Sequence, residues 1–316
     1  NYINRLWRIK KMKVLLSKTF IKMFKVLPVT IIGLISGGLG FLFAYIYNNL
    51  SKSVLTYDRF SSNILTVYSL IAFMLIIGIM IWVISANSSS GLFANEIHEG
   101  TMRLLLSKEI TRFQLVTGKI LGMLLGSVVY LIMSFAVFIL FFCLFSGVEK
   151  DILLLVIKGT SLFIIYGVLV IFIIGGLGTF LSTIFKKKVP AILIMVALSG
   201  LIFGIIPIIR VILIQLGYYN QFHLYLIDLN YHFGLIFNNF LRLMEDLTLS
   251  QSIDGIFTVF TNLYIPKAID IDVTLINGSY YDINNTLNSL VIIISYIGAA
   301  IILYGLSFKT MLKKDI

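Results

Sequence analysis

Six long apolar runs constrain this chain more than any other feature of its sequence. They cover roughly residues 27–47, 64–86, 116–146, 153–181, 189–214 and 287–308. Each is long enough to cross a hydrocarbon core, which takes about 20 residues of helix. Mean hydropathy is +1.01 and 12% of residues are charged, against roughly 25% in soluble domains. Backbone groups in lipid have no water to bond, so runs of this length must close their hydrogen bonds as helices. The expected fold is an all-α polytopic membrane protein with six transmembrane helices. An even number of spans puts both termini on one side.

The charges say which side. Residues 1–25, 87–119, Lys186–Lys188 and the tail with Lys309, Lys313 and Lys314 hold 18 of the 25 basic residues and 4 of the 14 acids, a balance of +14. The remaining 7 bases and 10 acids fall in the alternate segments, a balance of −3. Cytoplasmic loops retain Lys and Arg. Both termini are therefore expected in the cytoplasm and the chain in the plasma membrane. The basic charge follows sidedness, so no nucleic-acid partner is expected. Richness in Ile, Lys and Asn suits a bacterial source.

Four regions follow. Residues 1–25 interleave Leu6, Trp7, Leu15, Phe20 and Phe24 with Arg5, Arg8, Lys18 and Lys22, the pattern of an amphipathic helix lying in the cytoplasmic interface against membrane lipid. Residues 26–214 hold the first five spans, with an inner loop at 87–115. Pro207 interrupts the fifth run and predicts a kink there. Residues 215–286 form an extracellular segment, and 287–316 hold the last span and a basic tail. Within 215–286, Leu229, Phe233, Phe237, Phe240 and Met244 recur at helical spacing, and Ile253, Phe257 and Phe260 do so again. Both runs are too short to cross, which predicts interfacial or re-entrant helices. Alternation over 269–275 before Asn277-Gly278 predicts a β-hairpin, making this a small α/β insertion before the last span.

Charge inside the spans is nearly absent. Lys158 and Arg210 lie near outer ends and are expected to snorkel. An ion-driven transporter usually carries a mid-membrane carboxylate, and none falls within a run. His98, His223 and His232 have no acid at ligand spacing, so no metal site is expected. No catalytic residue is expected in this chain either. Cys143 reads as an apolar core thiol. Glycines in the first span (Gly33, Gly37, Gly38, Gly40) and fourth (Gly175, Gly176, Gly178) permit close helix approach, either at a dimer seam or within the subunit.

The inner loop between spans two and three is the segment with chemistry. Gly100 permits a turn where the second span ends. Leu104, Leu105 and Leu106 make a short apolar segment among Glu96, Glu99, Arg103 and Lys108. Left in water it is costly, and a protein partner is the natural cover. Thr111 and Gln114 form a capping box, so a helix starts there.

This loop resembles the signature of the permease subunits of type-two ABC exporters. That signature runs Glu, Gly-Thr, a Leu-rich stretch, a hydroxyl residue, Pro, an aliphatic residue, a hydroxyl residue and Arg, then Gly-Lys. The chain offers Glu99, Gly100, Thr101, Leu104, Leu105, Leu106, Ser107, Ile110, Thr111, Arg112, Gly118 and Lys119 without a gap. The departure is Glu109, where the family usually has Pro, and it bears on the bend between the two helices. The resemblance implies a coupling helix docking on a separate cytoplasmic ABC ATPase. Glu99, Gly100, Thr101, Leu104–Leu106, Arg112 and Lys119 would form or anchor the contact. ATP and Mg would be bound by that ATPase, since the chain has no Gly-x4-Gly-Lys-Ser/Thr loop. A second permease subunit, identical or related, would complete the pathway.

The expected function is export of an amphipathic peptide, drug or lipid-like molecule. The expected cargo or gate residues outside are Phe237, Phe240, Glu245, Asp246, Asp254, Phe257 and Phe260. With Asp228, Asp270, Asp272 and Asp282 against Arg242 and Lys267, the outer segment carries a balance of −5, which would favour cationic antimicrobial peptides. The alternative is a non-transporting receptor or immunity protein that binds a toxin through 215–286.

Overall fold

The structure is a computed structural model that describes residues 2–51, 57–101, 110–244 and 287–313. All regular elements among these residues are helical. The first two are α1 (Tyr2–Met23) and α2 (Val26–Ser51). The second span runs through α3 (Tyr57–Leu70), a wide π-helical stretch Ile71–Ile81, and α4 (Trp82–Ser90), followed by the short α5 (Ala94–His98). Spans three and four are α6 (Arg112–Ser146) and α7 (Lys150–Ile184). The fifth is α8 (Lys188–Gly200), a π turn Leu201–Ile205 and α9 (Ile206–Gln215). Beyond it come α10 (Tyr218–Gln221), a 3₁₀ turn Leu224–Leu226, α11 (Leu229–Arg242) and the last span α12 (Ser289–Lys313).

Six of these stretches are long and apolar enough to cross a membrane, in the expected places. The second is the most enclosed, with 61% of its apolar window buried, and the sixth the least, with 11%. Span two is thus the centre of the bundle. Its π stretch packs on the fifth span: the Phe203 ring covers Gly78, where an added Cβ would lie 2.8 Å from that ring and from the Phe73 carbonyl. Wide helical turns misalign backbone carbonyls. Here Ser199 Oγ donates to the Gly78 carbonyl at 3.0 Å. The fifth span widens just before Pro207. Proline offers no N–H and crowds the carbonyl four residues back, and the widened turn accommodates both.

Local signals act as expected at two loop ends. Thr111 and Gln114 form both bonds of the capping box, at 3.1 and 3.2 Å. Gly100 adopts φ +68°, a left-handed conformation that suits glycine. Thr111→Ala is expected to lose about 1 kcal/mol, read as a lower unfolding temperature and faster amide exchange at residues 112–115.

The amphipathic helix α1 is not left to lipid. It runs parallel to the start of α6, with Leu15 at Gly118, Leu16 and Thr19 at Gly122, and Met23 at Gly126. Tyr130 closes the contact, donating to the Met23 carbonyl at 2.6 Å and stacking on Phe24. Three glycines spaced by four residues make a groove that admits a second helix. The other glycines divide. Gly37 and Gly40 meet Phe138 and Phe141 of α6, while Gly175, Gly176 and Gly178 meet Tyr304, Ala300 and Ser89. These pack within the subunit. Gly33 and Gly38 have nothing within 4 Å.

Candidate functional site

The loop between α5 and α6 emerges at the end of the bundle that carries Lys186–Lys188. Leu104, Leu105, Leu106 and Glu109 lie outside the described residues. Both stems are described, and each is tied to a different helix. On the first stem, two buried N–H groups that open α5 find a partner on another helix: Phe93 N and Ala94 N donate to Ser182 Oγ of α7 at 2.9 and 3.1 Å. On the second, Arg112 Nη1 donates to the carbonyls of Met311 and Leu312 at 3.3 and 2.6 Å. Those carbonyls lie in the last turn of α12, where cationic donors are favoured.

Lys119 and Glu96 join the stems to each other. Lys119 is 4% exposed, its ammonium paired with the Glu96 carboxylate. It also donates to the Leu92 carbonyl at 2.8 Å and lies 5.4 Å from the centre of the Phe93 ring. Lys119 therefore faces into the bundle. Glu99 and Gly100 are exposed and Thr101 is half-buried. The loop stem thus presents Glu99 outward and keeps Lys119 as an internal fastening.

At the opposite end α11 is wedged between spans. Phe237 is fully buried among Phe73, Phe163 and Tyr166, with ring centres 4.9–5.1 Å away. Phe240, half-buried, meets Tyr166 at 6.0 Å. Asn239 bonds Ser289, and seven residues earlier His232 meets Tyr296, so α11 runs antiparallel to α12. Phe237 is packed core in this arrangement. Glu245, Asp246, Asp254, Phe257, Phe260 and the residues 269–283 expected to form a hairpin lie outside the described residues.

Two sequence readings need correction here. Arg210 does not snorkel. It is 3% exposed, donates to Asn230 Oδ1 and sits 3.5 Å from Asp228 Oδ2. Asp228, 5% exposed, also caps α11 by accepting from Tyr231 N and takes the Tyr219 hydroxyl, both at 2.9 Å. Asp228 therefore belongs to no anionic outer surface: its charge is consumed inside. A buried carboxylate next to a buried guanidinium is cheaper than either alone, which is why the arginine turns inward.

Aromatic and imidazole groups complete this cluster. Burial pushes the Tyr219 hydroxyl well above the usual range, and the Asp228 charge adds to it. Burial pushes His232 below the ordinary histidine range. The neutral ring then donates from Nε2 to the Tyr225 carbonyl and accepts at Nδ1 from Tyr296, each at 2.9 Å. Among the described residues no group of His, Cys, Asp or Glu is arranged to hold a metal.

The family model described as "ABC-2 family transporter protein" matches residues 73–315. The chain belongs to the ABC-2 transporter family. The matched region begins in the π stretch of span two and takes in the turn between α4 and α5, the loop stems, α11 and α12. The permease is a multi-pass membrane subunit of a transporter, and membership implies an ATPase partner in the complex. No curated protein matches the chain.

The glycine row of α6 is a feature that sequence reasoning missed. Gly118 was visible as half of a Gly-Lys pair, and its recurrence at Gly122 and Gly126 was the signal for a docked helix.

Proposed function

We propose that this chain is the membrane-spanning half of an ATP-driven exporter. A second permease subunit, identical or related, completes the pathway, and separate cytoplasmic ABC ATPase subunits bind ATP and Mg. The basic end of the bundle is then cytoplasmic. One observation carries the reading. The loop with the family's signature leaves at that end, and its stems are fastened to α7, α12 and each other rather than hanging free. A docked ATPase moving this loop would pull on most of the bundle.

The far end supports the direction. α11 and its aromatic neighbours fill the outer half between spans two, four, five and six, as a closed outer gate would. An apolar, aromatic pathway suits an amphipathic cargo. Cationic character of that cargo now rests on the acids beyond residue 244 alone.

Leu105→Asp tests the docking. A charge buried in an apolar groove costs several kcal/mol, so the ATPase subunit recovered with the tagged chain should fall at least about tenfold, with membrane insertion unchanged. Normal recovery would refute the assignment. A phosphate-loop lysine substitution in the recovered ATPase should abolish export. Protection that survives that substitution would favour a toxin-binding receptor instead.

A further inference from the structure

The pair Lys119–Glu96 has a position that its charge alone does not explain. Glu96 lies three residues before Glu99 and Lys119 eight residues after Thr111, so the pair closes the loop at its base. Lys18 and Lys22 of α1 add positive charge near Lys119, and Glu96 is the acid that pairs with Lys119. Lys119 also holds the Leu92 carbonyl, at the elbow where span two turns into α5. The same elbow is held to span four by Ser182. One ammonium thereby joins the end of span two, the start of span three and the elbow resting on span four.

A buried ion pair is poor evidence for stability, because apolar replacements often do as well. What it supplies is a fixed geometry between two elements. We propose that the Lys119–Glu96 pair is the linkage that carries loop motion into spans two, three and four. The two residues are positioning residues, and the inference rests on the ATPase-coupling reading above. Movement of the loop toward or away from the membrane would otherwise be absorbed by the Gly91 and Gly100 turns on either side of α5. With the pair in place, α5 and the first turns of α6 must shift together, and Ser182 takes α7 with them.

The test uses the complex of this chain with the ATPase that purifies with it, in nanodiscs. Amide exchange is followed with and without ATP plus vanadate. In the wild type, trapping should alter exchange in the loop stems and in α4, α6 and α7. Lys119→Met and Glu96→Gln should keep the ATPase and the stem response, while the response in α4, α6 and α7 falls about tenfold. Each single variant leaves one charge of the pair without its partner and is open to misfolding. The double variant Lys119→Met/Glu96→Gln leaves none, so it should fold as well as the wild type and still lack the span response. A purely structural pair predicts the opposite, with folding and span response restored together. A full span response in the folded double variant overturns the linkage. So does loss of the ATPase from it, since the pair would then shape the docking surface rather than transmit through it. Absence of any nucleotide response in the wild type refutes the coupling reading itself, and this inference with it. Intact docking in Leu105→Asp refutes only the leucine contact.

Discussion

Asp228→Ala should lose about 3–5 kcal/mol, the range for breaking a buried ion pair by removing one partner. Three functions go at once. Arg210 keeps its charge, 3% exposed, without its carboxylate. Tyr231 N loses its cap and Tyr219 its acceptor. Asp228→Asn keeps one oxygen, which can serve the cap at Tyr231 N, while its amide nitrogen cannot accept from Tyr219; it should lose less than Asp228→Ala. Arg210→Met/Asp228→Asn removes both charges and should regain much of the loss, because no uncompensated charge stays buried. The measurement is thermal or denaturant unfolding in detergent, with amide exchange over α11 as the local reading. Exchange should rise first at residues 229–233, where the cap is lost, and reach α9 through Arg210. A loss below about 1 kcal/mol for Asp228→Ala, the level of an exposed pair, would mean that water reaches this cluster.

That cluster also shows where sequence reasoning stops. The six spans, the capping box at Thr111 and Gln114 and the turn at Gly100 are local features, set by residues within a turn or two of one another. Hydrophobic periodicity and cap chemistry reveal them directly. Arg210 and Asp228 are 18 residues apart, across a return loop whose path no local pattern states. An arginine near the end of an apolar run has two outlets, water or a buried partner. The sequence favoured water because it could not place Asp228 beside it. The π stretch is a second case. Nothing in the run Ile71–Ile81 marks a change of helical pitch; it is a packing compromise with Phe203 and Ser199 on another span. Within the candidate site, the stems of the loop were legible as family residues. Their fastening was not: Lys119 and Glu96 are 23 residues apart, and no local pattern states that they pair. The leucines and the outer acids beyond residue 244 lie outside the described residues.

Gly122→Leu should undock α1. An ideal Cβ at this position would stand 2.7 Å from the Leu16 carbonyl oxygen and 2.9 Å from Thr19 Cβ. The first of these is backbone, so no rotamer change relieves it. A leucine adds three carbons more. Overpacking typically costs 1–3 kcal/mol, and here α1 can escape the strain by leaving the groove. The expected result is therefore local. Amide exchange over residues 12–23 should rise by roughly the 5–150-fold that 1–3 kcal/mol represents, and Tyr130 should lose its bond to the Met23 carbonyl. Gly38→Leu is the control, since nothing lies within 4 Å of that glycine, and it should leave α1 and the unfolding temperature unchanged. Equal exchange over α1 in Gly122→Leu and wild type would show that α1 is held by the membrane surface rather than by α6. The distinction bears on transport. α1 seated on α6 adds Lys18 and Lys22 beside the Lys119 fastening, so its release should disturb the base of the loop as well as the helix itself.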